Sequence, residues 1–131
     1  TGGDDRYEGG TASDTFTWSN GDEGKILFPV KDTVIDFNSS GGSYNAAEAD
    51  KLDLRGLLTG MNITAGTSAA SVIDVADNGA NTEFSIRTDG AVGTTQKITL
   101  EGLSMSDLVA SYSNESDFLQ NLIDSGLLVT Q

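Results

Sequence analysis

The 131-residue chain has no cysteine and no histidine, a single proline, a single tryptophan, and only 7 basic residues against 20 acidic ones. Without cysteine there are no disulfides and no thiolate metal sites. Without histidine there is no Ser-His-Asp triad, no Cys-His pair and no histidine zinc site. Paired carboxylates would still suit glycoside hydrolysis, but 20 acids bring such pairs together by chance. The chain is therefore read as not an enzyme. A formal charge of −13 argues against nucleic acid or an anionic membrane as partner. No run approaches the length of a membrane span and no cleavable N-terminal signal is legible, so no membrane insertion is expected. The length fits one domain with a core of ordinary size, expected to be a monomer. Crowded carboxylates repel one another until a cation neutralises them, so the acidic excess suits a cation-gathering protein.

What is present begins with Gly3-Asp4-Asp5-Arg6-Tyr7-Glu8-Gly9-Gly10-Thr11-Ala12-Ser13-Asp14-Thr15-Phe16. Asp5 and Asp14 are nine residues apart, as are Tyr7 and Phe16, and Gly3 and Ala12. Two copies of Gly-x-Asp-x-apolar in one register, with Gly-Gly between them, match the nonapeptide of calcium-binding parallel β-rolls. The physics is independent of the match. Glycine allows the sharp turn at positive φ, and the bare backbone there exposes carbonyl oxygens. Calcium takes six to eight oxygen ligands from carbonyls and carboxylates. The Asp adds a charged oxygen, and the apolar residue two places on points to the opposite face and into a core. The bland alternative, Gly and Asp as plain turn formers, explains two matched copies less well.

Further along, Thr15–Trp18 alternates as a strand, and Lys25–Phe28 reads as another, stopped by Pro29. Asp32-Thr33-Val34 repeats Asp14-Thr15-Phe16 at twice the interval, so Asp14 and Asp32 are expected to face one cation, and Asp5 to face Glu23. Ser39–Ala49 reads as a surface loop, with Asp36, Asp50 and Asp53 as further oxygen ligands at its two ends. The structural alternative has Asp50 or Asp53 capping a helical turn through Leu57-Leu58. Runs 71–76 and 82–87 flank Asn78-Gly79, the strongest short-range hairpin signal, and Gln96–Gly102 follows as a strand. Ser104 or Ser106 is expected to cap a short helix over 107–110. Residues 116–126 form an amphipathic helix with Phe118, Leu119, Leu122 and Ile123 on one face, Ser116 as N-cap and Gly126 as stop. A last strand is expected at 127–130.

Five stretches, in order, resemble the C-terminal domain of type I secreted bacterial RTX proteins, particularly the large adhesins. They are 9–16, 32–37 (Asp-Thr-Val-Ile-Asp-Phe), 50–58, 97–102 (Lys-Ile-Thr-Leu-Glu-Gly) and 119–129 (Leu-Gln-Asn-Leu-Ile-Asp-Ser-Gly-Leu-Leu-Val). Departures are Ala12 where glycine is usual, the eroded turn at 20–24 and the long loop at 39–49. The resemblance implies a mainly β fold: a short parallel β-roll over 1–38, then a β-sandwich-like sheet with a C-terminal helix over 39–131. It implies Ca2+ held by Gly3, Asp5, Gly10, Ala12, Asp14, Glu23, Asp32, Asp36, Asp50 and Asp53. It also implies an uncleaved C-terminal secretion signal read by an ABC transporter with its partner proteins, and an extracellular or cell-surface location. The opening residues look like the middle of a repeat array, so the chain is expected to be the end piece of a longer one. Two other readings stay open: a calcium-dependent sugar- or peptide-binding module, and the tail of a secreted RTX hydrolase.

Overall fold

The computed structural model describes residues 3–25, 27–39, 41, 43–88 and 93–131. Among the described residues eight strands form two open sheets: β1 (Arg6–Tyr7), β2 (Thr15–Thr17), β3 (Val30–Val34), β4 (Lys51–Asp53), β5 (Ile73–Asp77), β6 (Thr82–Ile86), β7 (Gln96–Leu100) and β8 (Leu128–Val129). The five-stranded sheet has the order β1-β3-β7-β6-β5, and the three-stranded sheet the order β2-β4-β8. The first four strands therefore alternate between sheets, and every second one pairs in parallel. Arg6 lies opposite Thr33, and Thr15 opposite Lys51. Parallel pairing runs beyond residue 38, since β3 also pairs with β7 and β4 with β8. The fold is mainly β, as expected.

The side-chain alternation expected of the repeats holds. Phe16 is buried and Tyr7 half-buried, and they meet edge to face at 6.3 Å, with Trp18 5.7 Å from Tyr7 and Phe37 6.3 Å from Phe16. Such aromatic pairs add about 0.5–1.5 kcal/mol beyond area burial. This aromatic nest passes into a hydrophobic core of Val34, Leu52, Ile73, Phe84, Ile86, Ile98 and Leu100. The expected hairpin is present as β5 and β6, with Asp77 and Asn78 side chains accepting N–H bonds within the turn. It adds to the five-stranded sheet through β7, so the antiparallel part extends one sheet of the stack.

Several local expectations are corrected. Of the strand expected over 25–28, Ile26 lies outside the described residues, and Lys25 and Phe28 instead face each other as an isolated bridge with reciprocal backbone bonds. Gly24 and Val30 both donate N–H to the Thr95 carbonyl. The tail helix α3 spans Glu115–Asp124, and its N-cap is Asn114, whose side chain accepts from Asp117 N–H, rather than Ser116. Its buried face is Phe118, Leu119 and Leu122, with Gly126 at φ 82° beyond the end. Of the two candidate caps for the short helix α2 (Met105–Leu108), Ser104 is the one used, in a reciprocal box with Asp107. The last strand is shorter than expected, at Leu128–Val129. A further helix, α1 (Gly66–Ala70), had no expectation attached. It lies on α3, where Gly66 N–H donates to Gln120 Oε1 at 2.7 Å.

A Cβ at Gly66 would run into the Ser116 carbonyl of α3. Gly66→Ala is expected to push the two helices apart and lower unfolding free energy by about 1–3 kcal/mol, read as a shifted urea midpoint. An unchanged midpoint would show that the two helices yield to the extra methyl group without cost.

Candidate metal centre

Strand register decides which acids meet. Because alternate coils stack on the same sheet, Asp5 lies beside Asp32 and Asp14 beside Asp50. Their backbone N–H groups donate to Asp32 Oδ1 at 2.9 Å and Asp50 Oδ1 at 2.8 Å. The intervals are 27 and 36 residues, not 18. The expected pairs Asp14 with Asp32 and Asp5 with Glu23 are thereby corrected: β2 and β3 belong to different sheets, and Glu23 accepts from Gly21 N–H within its own turn. Both real intervals remain multiples of nine, so the repeat spacing survives while the loops between coils lengthen.

Three aspartates of the expected ligand set are buried and work as backbone clamps. Asp32, 2% exposed, takes Asp5 N–H on Oδ1, and the Trp18 indole N–H (2.7 Å) and Gln96 Nε2 (2.9 Å) on Oδ2. Asp36 takes Gly9 N–H on one oxygen and Gly10 N–H on the other, at 2.9 and 2.7 Å. Asp50 takes Asp14 N–H and Asn38 N–H, and its own N–H donates to Asn38 Oδ1. Charge-assisted bonds of this kind contribute about 1.5–3 kcal/mol each. Asp53 is taken by Arg55, which donates through its side chain at 2.7 and 3.0 Å and through its backbone. Arg55 holds the Asp53 carboxyl below the ordinary carboxylate range, chiefly by side-chain hydrogen bonding. The backbone contact opens the turn in which Leu58 N–H reaches the Leu54 carbonyl, the capping role foreseen as the alternative for Asp53.

The remaining expected positions form the exposed turns. Gly3 and Gly10 have φ of 120° and 85°. Ala12, where the repeat favours glycine, has φ 75°, a left-handed conformation that costs a β-carbon residue about 1–2 kcal/mol. Asp14 Oδ2 is buried without a hydrogen-bond partner among the described residues. A Cβ on Gly9 would come within 2.6 Å of it, so this glycine leaves the space the carboxylate fills. Among the described residues Glu48 Oε1 is likewise buried without a partner, as is the amide oxygen Gln96 Oε1. The Glu48 loop abuts the Asp14 turn, because Ser13 Oγ donates to the Ala49 carbonyl at 2.8 Å and Lys51 N–H to the Asp14 carbonyl. Among the described residues no three carboxylates converge into one group.

Sequence reasoning missed Glu48, Asn38, Trp18 and Gln96. Glu48 and Asn38 sit at the ends of the long loop, outside the nine-residue interval. Asn38 did carry a signal, since asparagine tolerates the left-handed φ of 49° that it adopts. Nothing in the sequence marks Gln96 as the partner of Asp32.

Tyr7 reports on the same region. Burial first, and then the carboxylates of Asp32, Asp5 and Asp22, push its hydroxyl up to about 12 from 10.0. A raised phenol favours the folded state fully below its ordinary value and loses that contribution as pH climbs from 10.0 to about 12. Tyr7→Phe is therefore expected to flatten the loss of thermal stability across that alkaline window; parallel curves for the two proteins would refute it. Asp32→Ala strands the Trp18 and Gln96 donors in the core. It should cost about 3 kcal/mol or more, seen in urea unfolding together with a changed near-UV circular dichroism band from the sole tryptophan. Comparison with protein-family models, with curated proteins and with solved structures finds no match to this chain.

Proposed function

We propose that this chain is a calcium-binding end module of a type I secreted RTX adhesin, a stack of β-roll coils that folds on calcium outside the cell. The observation that carries the reading is the pair of buried carboxylate oxygens, Asp14 Oδ2 and Glu48 Oε1, without a partner among the described residues and in two abutting turns. Burying a carboxylate oxygen with no donor is costly, and a hard divalent cation relieves that cost. The donor set fits: Asp14, Glu48 and the exposed carbonyls of the Gly10–Ala12 turn are all oxygen. Bound calcium would supply positive charge between turns that otherwise repel. Alternation of parallel-paired strands between two sheets supports a roll-like coil at the start of the chain.

On this reading the ten expected ligands divide by role. Asp32, Asp36 and Asp50 close the coils through backbone N–H groups, Asp53 is held by Arg55, and Asp14 faces the cation together with Glu48. Secretion follows from the resemblance of residues 119–129: the uncleaved end is read by the ABC transporter while the chain is unfolded. Cytosolic calcium leaves the site empty during export, and extracellular calcium near millimolar fills it, in the range where extracellular modules bind. Binding to the folded state alone stabilises it by about 2.7 kcal/mol at a hundredfold excess over the dissociation constant. No reaction is assigned to the chain.

Thermal melting by circular dichroism, in chelator and in millimolar calcium, tests the reading. Calcium is expected to raise the melting temperature by about 4–8 °C per kcal/mol gained. Asp14→Ala should abolish most of the calcium increment, and Arg55→Ala, on the other side of the ligand division, should leave it intact. Equal melting in chelator and calcium ends the proposal.

A further inference from the structure

We infer that β5, the outer edge of the five-stranded sheet, pairs antiparallel with the β5 of a second copy, joining the two sheets across a twofold axis at Val75. The order β1-β3-β7-β6-β5 gives β5 a neighbour on one side only. The register of the hairpin fixes which of its backbone groups are used. Arg87 N–H reaches the Val72 carbonyl and Asn78 N–H the Asn81 carbonyl, so residues 72, 74, 76 and 78 turn their backbone groups to β6. Ile73, Val75 and Asp77 turn theirs outward, where no backbone partner stands among the described residues. A run of five residues, about 17 Å long, is therefore an open template for another strand. The usual guards of such an edge, a proline, a lysine or a bulge, are absent from Ile73–Asp77.

The acids of β5 do not guard the edge either, because both are engaged. Asp74 pairs with Arg87 at 2.6 Å, and Asp77 takes the Gly79 and Met105 N–H groups. On the same outer face Lys97 meets Glu83 at 3.4 Å and Arg6 meets Glu101 at 3.3 Å. Arg6, Lys31, Arg87 and Lys97, four of the chain's 7 bases, thus lie on or beside this one sheet. On a molecule of charge −13, this is the surface where a second acidic copy meets least repulsion.

The sequence of β5 suits pairing with itself. Centred on Val75, the pairing sets Ile73 opposite Asp77, Asp74 opposite Ala76 and Val75 opposite its own copy. Every residue of the strand is matched, and no two acids face each other. Ile73, Val75 and Asp77 fall in hydrogen-bonded pairs, each exchanging two N–H···O=C bonds. The half-buried Val75 side chains meet on the inner face, where each already packs on its own core. A slip of two residues one way sets Asp74 against Asp74, and the other way leaves Ile73 with no strand residue opposite. The contact is isologous, so it closes at two copies. Asp14 and Glu48 lie by the other sheet, so the dimer stands or falls apart from the calcium reading. It replaces the monomer expected from sequence.

Sedimentation velocity in calcium-containing buffer, over about a hundredfold range of concentration, reads the association directly. The weight-average sedimentation coefficient is expected to climb with concentration and to level at the dimer. Ala76 is exposed and faces Asp74 of the other copy in this register alone. Ala76→Lys should therefore tighten the dimer and Ala76→Glu weaken it, each by roughly threefold or more. Val75→Pro removes an N–H that no bond within the chain uses, a change that edge strands tolerate. That variant should keep its circular dichroism spectrum and remain monomeric. A natural chain that is monomeric throughout overturns the inference, as does a folded Val75→Pro chain that still dimerises, or Ala76 variants of equal affinity. Binding of a synthetic alternating Val-Lys peptide by a chain that does not self-associate would assign the edge to a foreign strand, and overturns it too.

Discussion

Everything in the first half of this molecule depends on buried carboxylates finding N–H donors. A chain with 20 acids and 7 bases cannot neutralise its buried negative charge with side-chain cations alone. Asp32, Asp36 and Asp50 are solvated instead by backbone N–H groups of a neighbouring coil, supplemented at Asp32 by Trp18 and Gln96. Each clamp does two things at once. It satisfies turn amides that no strand partner reaches, and it fixes the vertical spacing of coils so that Tyr7, Phe16, Trp18 and Phe37 nest inside.

Acidic residues in this fold consequently belong to distinct physical classes despite identical chemistry. Those with donors on both oxygens are structural and would lose by exchanging N–H groups for a metal. Those paired with a base, such as Asp53 with Arg55, are already neutralised. Asp14 and Glu48 are neither, and their orphaned oxygens distinguish them from the rest. Count and spacing in the sequence treat all of these alike. Only the register separates them.

The sequence made a good deal legible, and what it hid has a common cause. Alternation of Asp and an apolar residue two places on is a local pattern, and the core positions of Phe16 and Val34 followed from it. The hairpin around Asn78-Gly79 and the helical face of Phe118, Leu119 and Leu122 are local as well. Which coil stacks on which is not local. It depends on where each strand falls: β3 begins only at Val30 and joins the other sheet, which takes Asp32 away from Asp14, and the 39–49 segment then delays β4 so that Asp50 is the acid that meets Asp14. Leu27 and Phe28 are strand-like residues, but Gly24 and Val30 sharing the Thr95 carbonyl, with Phe28 bonded back to Lys25, overrides that preference. Likewise the helix at Gly66–Ala70 owes its existence to the α3 surface beneath it, which composition alone does not announce.

The parallel pairing has a consequence for how the chain comes into being. Leu52 in β4 takes its outer partner from Leu128, and Thr33 in β3 from Thr99. A ribosome delivers the early strands first, seconds before their partners at about 5–20 residues per second. During that interval β3 and β4 have unpaired edges, and the carboxylate-rich coils have no covering sheet. Long-range parallel pairing is slow in any case, because loop closure precedes its reward. The five-stranded sheet thus lacks a central strand until residue 100 has been made, and the three-stranded sheet lacks an edge strand until residue 129, by topology alone and whatever the cation concentration around them.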